Sequence, residues 1–390
     1  MQSNIIRRIF PLAATAVATM LASGAALAQE VVKIGYTGPL SGGAALYGKN
    51  VLSGVQMAVD EINAAGLEVK GKKVKLEVVA LDDKYSPAEA AINARRLVQQ
   101  HKTPAVFVPH SGGIFALQAF NEQEKFLVMA YSSVPRITDA GNKLTIRIPP
   151  AYTGYIEPFV KAQMKRYGKN VALAPADHDY AKAWVQAFIP AWEGAGGKIV
   201  GNNPMSYTKA TDFYSGVSRA MTDKPDVMFV GGPSEPTALV VKQARELGFK
   251  GGFIIMDQAK MDEMAKVTNG LAMLEGSIGV LPLVNDGRPA AQNFNAKYKK
   301  LHEGRDATTE MSLNYTMVYA LAGAMKLAGT TSDAAAIRAK MPDAVKALPK
   351  DVNPNEVDGI DAKGGSMADT VVGWVQNGKI SPVRLSELAK

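Results

Sequence analysis

Short apolar runs along this chain alternate with longer stretches in which apolar residues return every three or four positions. The runs at 31–36, 74–81, 105–109 and 127–131 have the length and the Val, Ile and Leu content of buried strands. Between the first two, Val51, Val55, Val59 and Ile62 share one helical face. Ala91, Ala94, Leu97 and Val98 do the same after the second run, and Phe115, Leu117 and Phe120 after the third. Such alternation predicts parallel strands wrapped by helices. The pattern then restarts, with strands at 171–174, 198–201, 227–230 and 253–256 and helices at 180–195, 212–222 and 237–247, the last closed by Gly248 as a C-cap. Between the two halves, residues 141–151 carry Pro149-Pro150 and read as a crossing link. The halves repeat in element order, not residue by residue.

The remaining elements complete these two sheets instead of founding a third domain. An apolar run at 276–283 precedes helical stretches at 293–301, 313–327 and 334–340. Strands at 371–375 and 380–383 flank Asn377-Gly378, a two-residue hairpin signal. The expected fold class is therefore α/β, with two Rossmann-like lobes, each a mostly parallel sheet flanked by helices, joined by a hinge of several strands. The expected division assigns 29–148 with 280–356 to one lobe and 149–279 with 357–390 to the other.

The first 28 residues read as an address. Arg7 and Arg8 precede an Ala-rich apolar run that ends in Ala26-Leu27-Ala28, the form of a secretory signal peptide cut after Ala28. Thr15, Thr19, Ser23 and Gly24 dilute the run, and nothing basic follows it as a stop-transfer signal. An exported, periplasmic chain without stable membrane insertion is expected.

Composition narrows the chemistry. The 390 residues are 47% hydrophobic and 21% charged, the balance of a folded globular protein. There is no Cys, which excludes disulfides, thiolate metal sites, a Cys nucleophile and a lipid-anchored N-terminus. The four histidines, His101, His110, His178 and His302, have no metal-ligand spacing. The net charge of +8 falls to +6 without Arg7 and Arg8, and the basic residues are scattered instead of forming the stripe a nucleic-acid binder needs. No metal, cofactor or nucleic acid is expected.

In open α/β sheets ligands bind beyond the carboxyl ends of the strands. Here those positions hold loops of small and hydroxyl residues: 37–43, 110–113, 131–135, 176–180, 231–234 and 257–258. Ser hydroxyls and free amides hold an anion without a formal cation. Any one such loop is ordinary turn chemistry; six at the same edges of two halves describe a cleft. Other motifs fail. Residues 43–50 approach the phosphate-loop pattern, but Asn50 stands where a Mg²⁺-binding Ser or Thr is needed, and Gly43 lies seven positions past Tyr36, where the strand should end. His178, between Asp177 and Asp179, has no nucleophile paired with it, and Asp82-Asp83 beside Ser86-Pro87 read as punctuation before a helix. No enzyme signature remains.

The opening segment Ile34-Gly35-Tyr36-Thr37-Gly38-Pro39-Leu40-Ser41-Gly42, followed by Tyr47-Gly48 and by residues 54–66, resembles the leucine/isoleucine/valine-binding proteins, periplasmic receptors of ABC importers with the type I binding-protein fold. Residues 82–90, 226–232, 242–248 and Tyr319-Ala320 continue the resemblance collinearly. It implies a two-lobed clamp and a monomer that delivers its ligand to an importer permease. The ligand carboxylate would be gripped by Ser111 and Gly112 after the third strand and by Ser132 and Ser133 after the fourth. Tyr47 and Tyr180 would wall the pocket, and Asp257, with Gln258 as the alternative, would take the ligand ammonium. Where the family usually offers an aromatic, this chain has Pro233-Ser234, which places Ser234 in the candidate set. A branched-chain or related amino acid is the expected ligand. An aromatic or other organic acid is the alternative within the class, and a secreted enzyme or a sensor domain on the same scaffold lies further off.

Overall fold

A computed structural model describes residues 29–368 and 370–388. The leader expected at 1–28 and its cut after Ala28 lie outside the described residues. The first half runs β1 (Glu30–Gly38), α1 (Ala45–Ala65), β2 (Leu67–Val69), β3 (Lys72–Asp82), α2 (Pro87–Gln99), β4 (Ala105–Val108), α3 (Ser111–Gln118), α4 (Asn121–Glu124), β5 (Leu127–Ala130), α5 (Arg136–Asp139) and β6 (Thr145–Arg147). The second runs α6 (Thr153–Tyr167), β7 (Asn170–Pro175), α7 (Asp179–Gly194), β8 (Lys198–Asn202), α8 (Tyr214–Ala220), β9 (Val227–Gly231), α9 (Ser234–Glu246), β10 (Gly252–Ile255), α10 (Met261–Val267) and β11 (Ser277–Val280). The chain then forms α11 (Pro289–Leu301), α12 (Thr309–Ala328), α13 (Ala334–Lys346), β12 (Gly359–Ile360), β13 (Ser366–Met367), β14 (Val371–Gln376), β15 (Lys379–Arg384) and α14 (Leu385–Leu388).

Two large sheets result, ordered β2-β3-β1-β4-β5-β6 and β15-β14-β11-β10-β9-β7-β8. Strand β1 pairs parallel with β3 over its whole length, from Glu30 opposite Val74 to Gly38 opposite Asp82, and with β4 on its other side. The strand order thus reverses at β1 in the first sheet and at β7 in the second. Reversal opens a crevice beyond the carboxyl ends of those strands, and it is there that the two sheets face each other.

The helices form where apolar residues recur at helical spacing. Helix α1 buries Val51, Val55, Val59 and Ile62, as its periodicity predicts, and α2 buries Ala90, Ala94 and Leu97, one position off the expected Ala91 and Val98. Helix α1 lies against α12 so closely that a Cβ on Gly54 would sit 2.1 Å from the Met311 carbonyl oxygen. Gly48 is equally tight: its missing Cβ would lie 1.8 Å from the Pro39 carbonyl oxygen. Residues 45–50 are helical, so the phosphate-loop look of this segment reflects helix–loop packing.

Helices α4, α5, α6 and α10 escaped the periodicity argument, and α13 outruns it. Helix α6 contains Pro158, and α13 continues through Pro342 to Lys346, past the expected end at 340. In α13, Met341, Ala344 and Val345 are buried beyond or beside the proline, and that burial outweighs the lost backbone hydrogen bond. The division between lobes also differs from expectation. The β12–β13 hairpin packs on α13, and Gly365 bridges Arg147 at the end of β6, so residues 357–367 stay with the first sheet. The chain returns to the second sheet only at β14, which pairs antiparallel with β11. Among the described residues the chain passes between the sheets after β6, after β11 and between β13 and β14.

Candidate functional site

The loops at the facing carboxyl edges close on a small polar cavity of about 30 Å³. Tyr47, Tyr85, Pro109, His110, Ser111, Tyr131, Ser132, Ser133 and Pro149 line it from the first lobe and the crossing segment, and Tyr180, Asp257 and Gln258 from the second. Ser111 opens α3, whose leading amides have no intrahelical acceptor and point toward the cleft end of the sheet. His110 caps that helix: its Nδ1 accepts from the Gly113 amide at 3.0 Å, which leaves Nε2–H to donate to Asp83 Oδ2 at 2.9 Å. The imidazole tautomer is thereby fixed, and the Ser111 loop is anchored to the end of β3.

The hydroxyls form a chain across the cleft. Ser111 Oγ and Ser132 Oγ are 2.8 Å apart. Ser133 Oγ donates to Asp257 Oδ2 at 2.6 Å and lies 2.8 Å from the Tyr180 hydroxyl. The Trp184 indole N–H reaches both the Tyr180 hydroxyl (3.0 Å) and Asp257 Oδ1 (3.1 Å). Burial raises the Asp257 carboxyl to about 6, with the Ser133 hydrogen bond and the nearby Lys260 charge pulling partly the other way. Such a group gains by meeting a cation. The phenols of Tyr47, Tyr85 and Tyr131 are held neutral by burial. The Tyr47 hydroxyl donates to the Pro109 carbonyl oxygen at 2.7 Å, and its ring lies 6.2 Å from that of Tyr131, tilted by 42°.

Of the expected site residues, Tyr47, Ser111, Ser132, Ser133, Tyr180 and Asp257 therefore converge, and Gln258 lines the cavity beside Asp257. Gly112 and Ser234 are not in the lining. Gly112 packs where the lobes touch, its missing Cβ 2.6 Å from Pro87 Cγ and 3.1 Å from Asp179 Oδ2. Ser234 is the first residue of α9, and its hydroxyl is consumed in donating to Glu263 Oε2 at 2.6 Å and accepting from the Lys260 amide at 3.0 Å. Asp82 and Asp83 do more than punctuate. Ser86 caps α2, while Asp82 receives the Leu40 amide and Ser41 hydroxyl, and buried Asp83 receives Thr37 and His110.

Tyr85, Pro109, His110, Tyr131 and Pro149 line the cavity outside the expected set, and of the three with aromatic rings Tyr85 alone lay outside every expected loop. Its backbone takes a left-handed conformation at φ 64°, with its amide bonded to Asp83 Oδ1 at 2.9 Å. This turns the ring onto His110 (centroids 4.8 Å) and His178 (5.2 Å), and its hydroxyl accepts from Gln258 Nε2 across the cleft at 2.7 Å. An Asp followed two positions later by Tyr is the available signal, and it is a weak one. His178 caps α7, accepting from the Ala181 amide at 3.2 Å, and burial lowers it to about 4, so it is neutral at ordinary pH. Among the described residues no group of three or more His, Asp or Glu has the arrangement of a metal site, and no helix is long and apolar enough to cross a membrane.

Two mostly parallel sheets whose reversal points face each other over a small polar cavity define a two-lobed solute-binding protein. Comparison with known proteins makes the class specific: the chain belongs to the periplasmic binding protein family, whose model matches residues 31–367. It is 28% identical over 319 residues to an amino acid binding protein of Pseudomonas aeruginosa, covering 78% of this chain and 81% of that one. It is 25% identical over 240 residues to the Leu/Ile/Val-binding protein of Escherichia coli, covering 60% of this chain and 62% of the other. The crystal structure of a leucine binding protein from Thermotoga maritima superposes with a TM-score of 0.75 at 26% identity, over 90% of this chain and 97% of that one.

Proposed function

We propose that this protein is an exported receptor that closes its lobes on a small amino acid and presents it to the permease of an ABC importer. One observation carries the reading: the anion-catching hydroxyls of the first lobe lie within a hydrogen bond of an acid from the second, Ser133 Oγ to Asp257 Oδ2. A ligand entering between them meets donors at one end and a carboxylate at the other. That polarity is matched by the carboxylate and ammonium of an amino acid. Ser111, Ser132 and Ser133, with the leading amides of α3, bind the carboxylate, and Asp257 takes the ammonium. The rings of Tyr47, Tyr131, Tyr85 and Tyr180 enclose the side chain.

The names of the relatives support an aliphatic side chain. The four tyrosines lining the cavity favour a second reading, an aromatic acid, which stacks on rings without needing Asp257 ionised. Native mass spectrometry of the protein as purified, followed by calorimetry of the unfolded and refolded protein against the common amino acids and benzoate-like acids, separates the two. Binding of leucine, isoleucine or valine supports the first reading. Binding of aromatic acids alone supports the second, and a bound molecule that is chemically turned over supports neither.

A further inference from the structure

A second polar cluster joins the lobes without lining the ligand cavity. Asn50 on α1 and Glu310 on α12 belong to the first lobe, and Lys260 and Glu263, just before and on α10, to the second. All are sealed from water: Glu310 is 0% exposed, Asn50 and Lys260 1%, and Glu263 7%. The Asn50 amide bridges the two carboxylates, donating to Glu263 Oε1 at 2.6 Å and to Glu310 Oε1 at 3.1 Å. Lys260 Nζ lies 3.4 Å from Glu310 Oε2 and donates to the carbonyl oxygens of Asp257 (2.7 Å) and Gln258 (3.1 Å). The cluster is thus built into the loop that walls the cavity.

Its charges do not balance. Two buried carboxylates share one ammonium, in surroundings where an uncompensated charge costs several kcal/mol. The other ionisable groups facing Glu263 and Glu310 add no cation. Asp262 on α10 is a further carboxylate, with one oxygen lacking a hydrogen-bond partner among the described residues. Tyr47 and Tyr131, which feel Glu310, are neutral phenols, and Asp257 lies beyond Tyr131. Lys266 acts on Asp262 and Asp306 instead. Opening the lobes removes Glu310 and Asn50 from Glu263 and admits water, which relieves the imbalance. Closing restores it.

We propose that closure of the lobes captures one proton on Glu263, so that the clamp shuts more readily as pH falls. The inference rests on the clamp reading and is independent of which solute binds. A protonated Glu263 keeps its contacts: it still accepts from Asn50, and its O–H turns to Ser234 Oγ, which already accepts from the Lys260 amide. Burial, and then the Glu310 charge, push Glu263 up to about 7 in the closed form. In the open form it returns toward its ordinary value of about 4.3. A group whose value is higher in the closed state favours closure below that value and loses the effect as pH rises through about 7. The closed-to-open ratio therefore falls about tenfold between pH 6 and pH 8.

The absence of native Cys allows clean labelling. Cysteines introduced at the exposed Glu89 on α2 and Gln186 on α7 carry spin labels whose separation reports lobe closure in the ligand-free protein. The expected result is a closed fraction that grows from pH 8 to pH 6 by that factor. In E263Q it should be flat, and more closed at pH 8 than the unsubstituted protein is at pH 6, because a neutral side chain realises the whole difference between the open and closed values. E310Q, which removes the repelling charge but leaves Glu263 buried, should weaken it without abolishing it. A separation unchanged between pH 6 and 8, or an undiminished pH dependence in a folded E263Q or E310Q, overturns the proposal. No solute is present, so failure of amino acids to bind tests the proposed function and leaves this result untouched.

Discussion

Replacing Asp257 by Asn removes one negative charge and almost nothing else. The Asn oxygen can still accept from the Trp184 indole, which lies 3.1 Å from Asp257 Oδ1, and the Ser133 hydroxyl can turn to accept from the amide. Two opposite effects follow. In the empty protein, burial holds Asp257 at about 6 against an ordinary value of about 3.9. A raised acid withholds stability once ionised: the penalty is absent below about pH 4 and complete above about pH 6. Two units correspond to somewhat under 3 kcal/mol, and solvent at the cleft reduces this to about 1–2 kcal/mol. D257N should therefore melt higher than the unsubstituted protein at pH 8 and equally at pH 4. Binding moves the other way. A ligand ammonium left without its buried partner loses about 2–5 kcal/mol, so leucine should bind roughly 30- to 4000-fold more weakly by calorimetry. A D257N protein with unchanged leucine affinity would refute the assignment of Asp257, and an unchanged melting temperature at pH 8 would refute the account of its burial.

Other substitutions probe the remaining contacts. Tyr85→Phe keeps the ring on His110 but deletes the acceptor for Gln258 Nε2. Loss of this cross-lobe hydrogen bond, worth about 1 kcal/mol, should raise the dissociation rate about fivefold in stopped-flow fluorescence. Trp184→Phe removes the donor to Asp257 and Tyr180, and should push the Asp257 carboxyl further up, visible by NMR titration of its side-chain carbon. Gly54→Ala should drive a methyl group into the Met311 carbonyl and lower stability by about 1–3 kcal/mol or more in urea unfolding, whereas alanine at Gly287, with nothing within 4 Å, should change it little.

The strand–helix rhythm was legible because the central strands are buried on both faces and most helices on one. That is why β1, β4, β5, β7, β9 and β10 fall close to their expected positions. The cavity was legible for the same reason: once the strands are placed, their carboxyl edges name the loops, and Ser111, Ser132, Ser133, Tyr180 and Asp257, which line it, lie on those loops. Side-chain direction within a loop was not legible. Ser234 occupies one of the expected loops, yet its hydroxyl serves Glu263 because α9 begins at that residue. Tyr85 depends on a left-handed backbone that no periodicity records. The proline-bearing α6 was hidden by its own breaker residue, and the Asn50–Glu263 contact joins residues 213 positions apart. Long-range polar pairing of that kind leaves no local trace.

The central claim is that an acid group is caught between the lobes by hydroxyls and free amides of the first lobe. Calorimetry of refolded, ligand-free protein with leucine and with leucinamide, at equal ionic strength, tests it most directly. The amide keeps the side chain and the ammonium but loses the anion. Leucine is predicted to bind and leucinamide to bind at least about a hundredfold more weakly, as expected when charge-assisted hydrogen bonds to a carboxylate are lost. Equal affinity for the two would contradict the account.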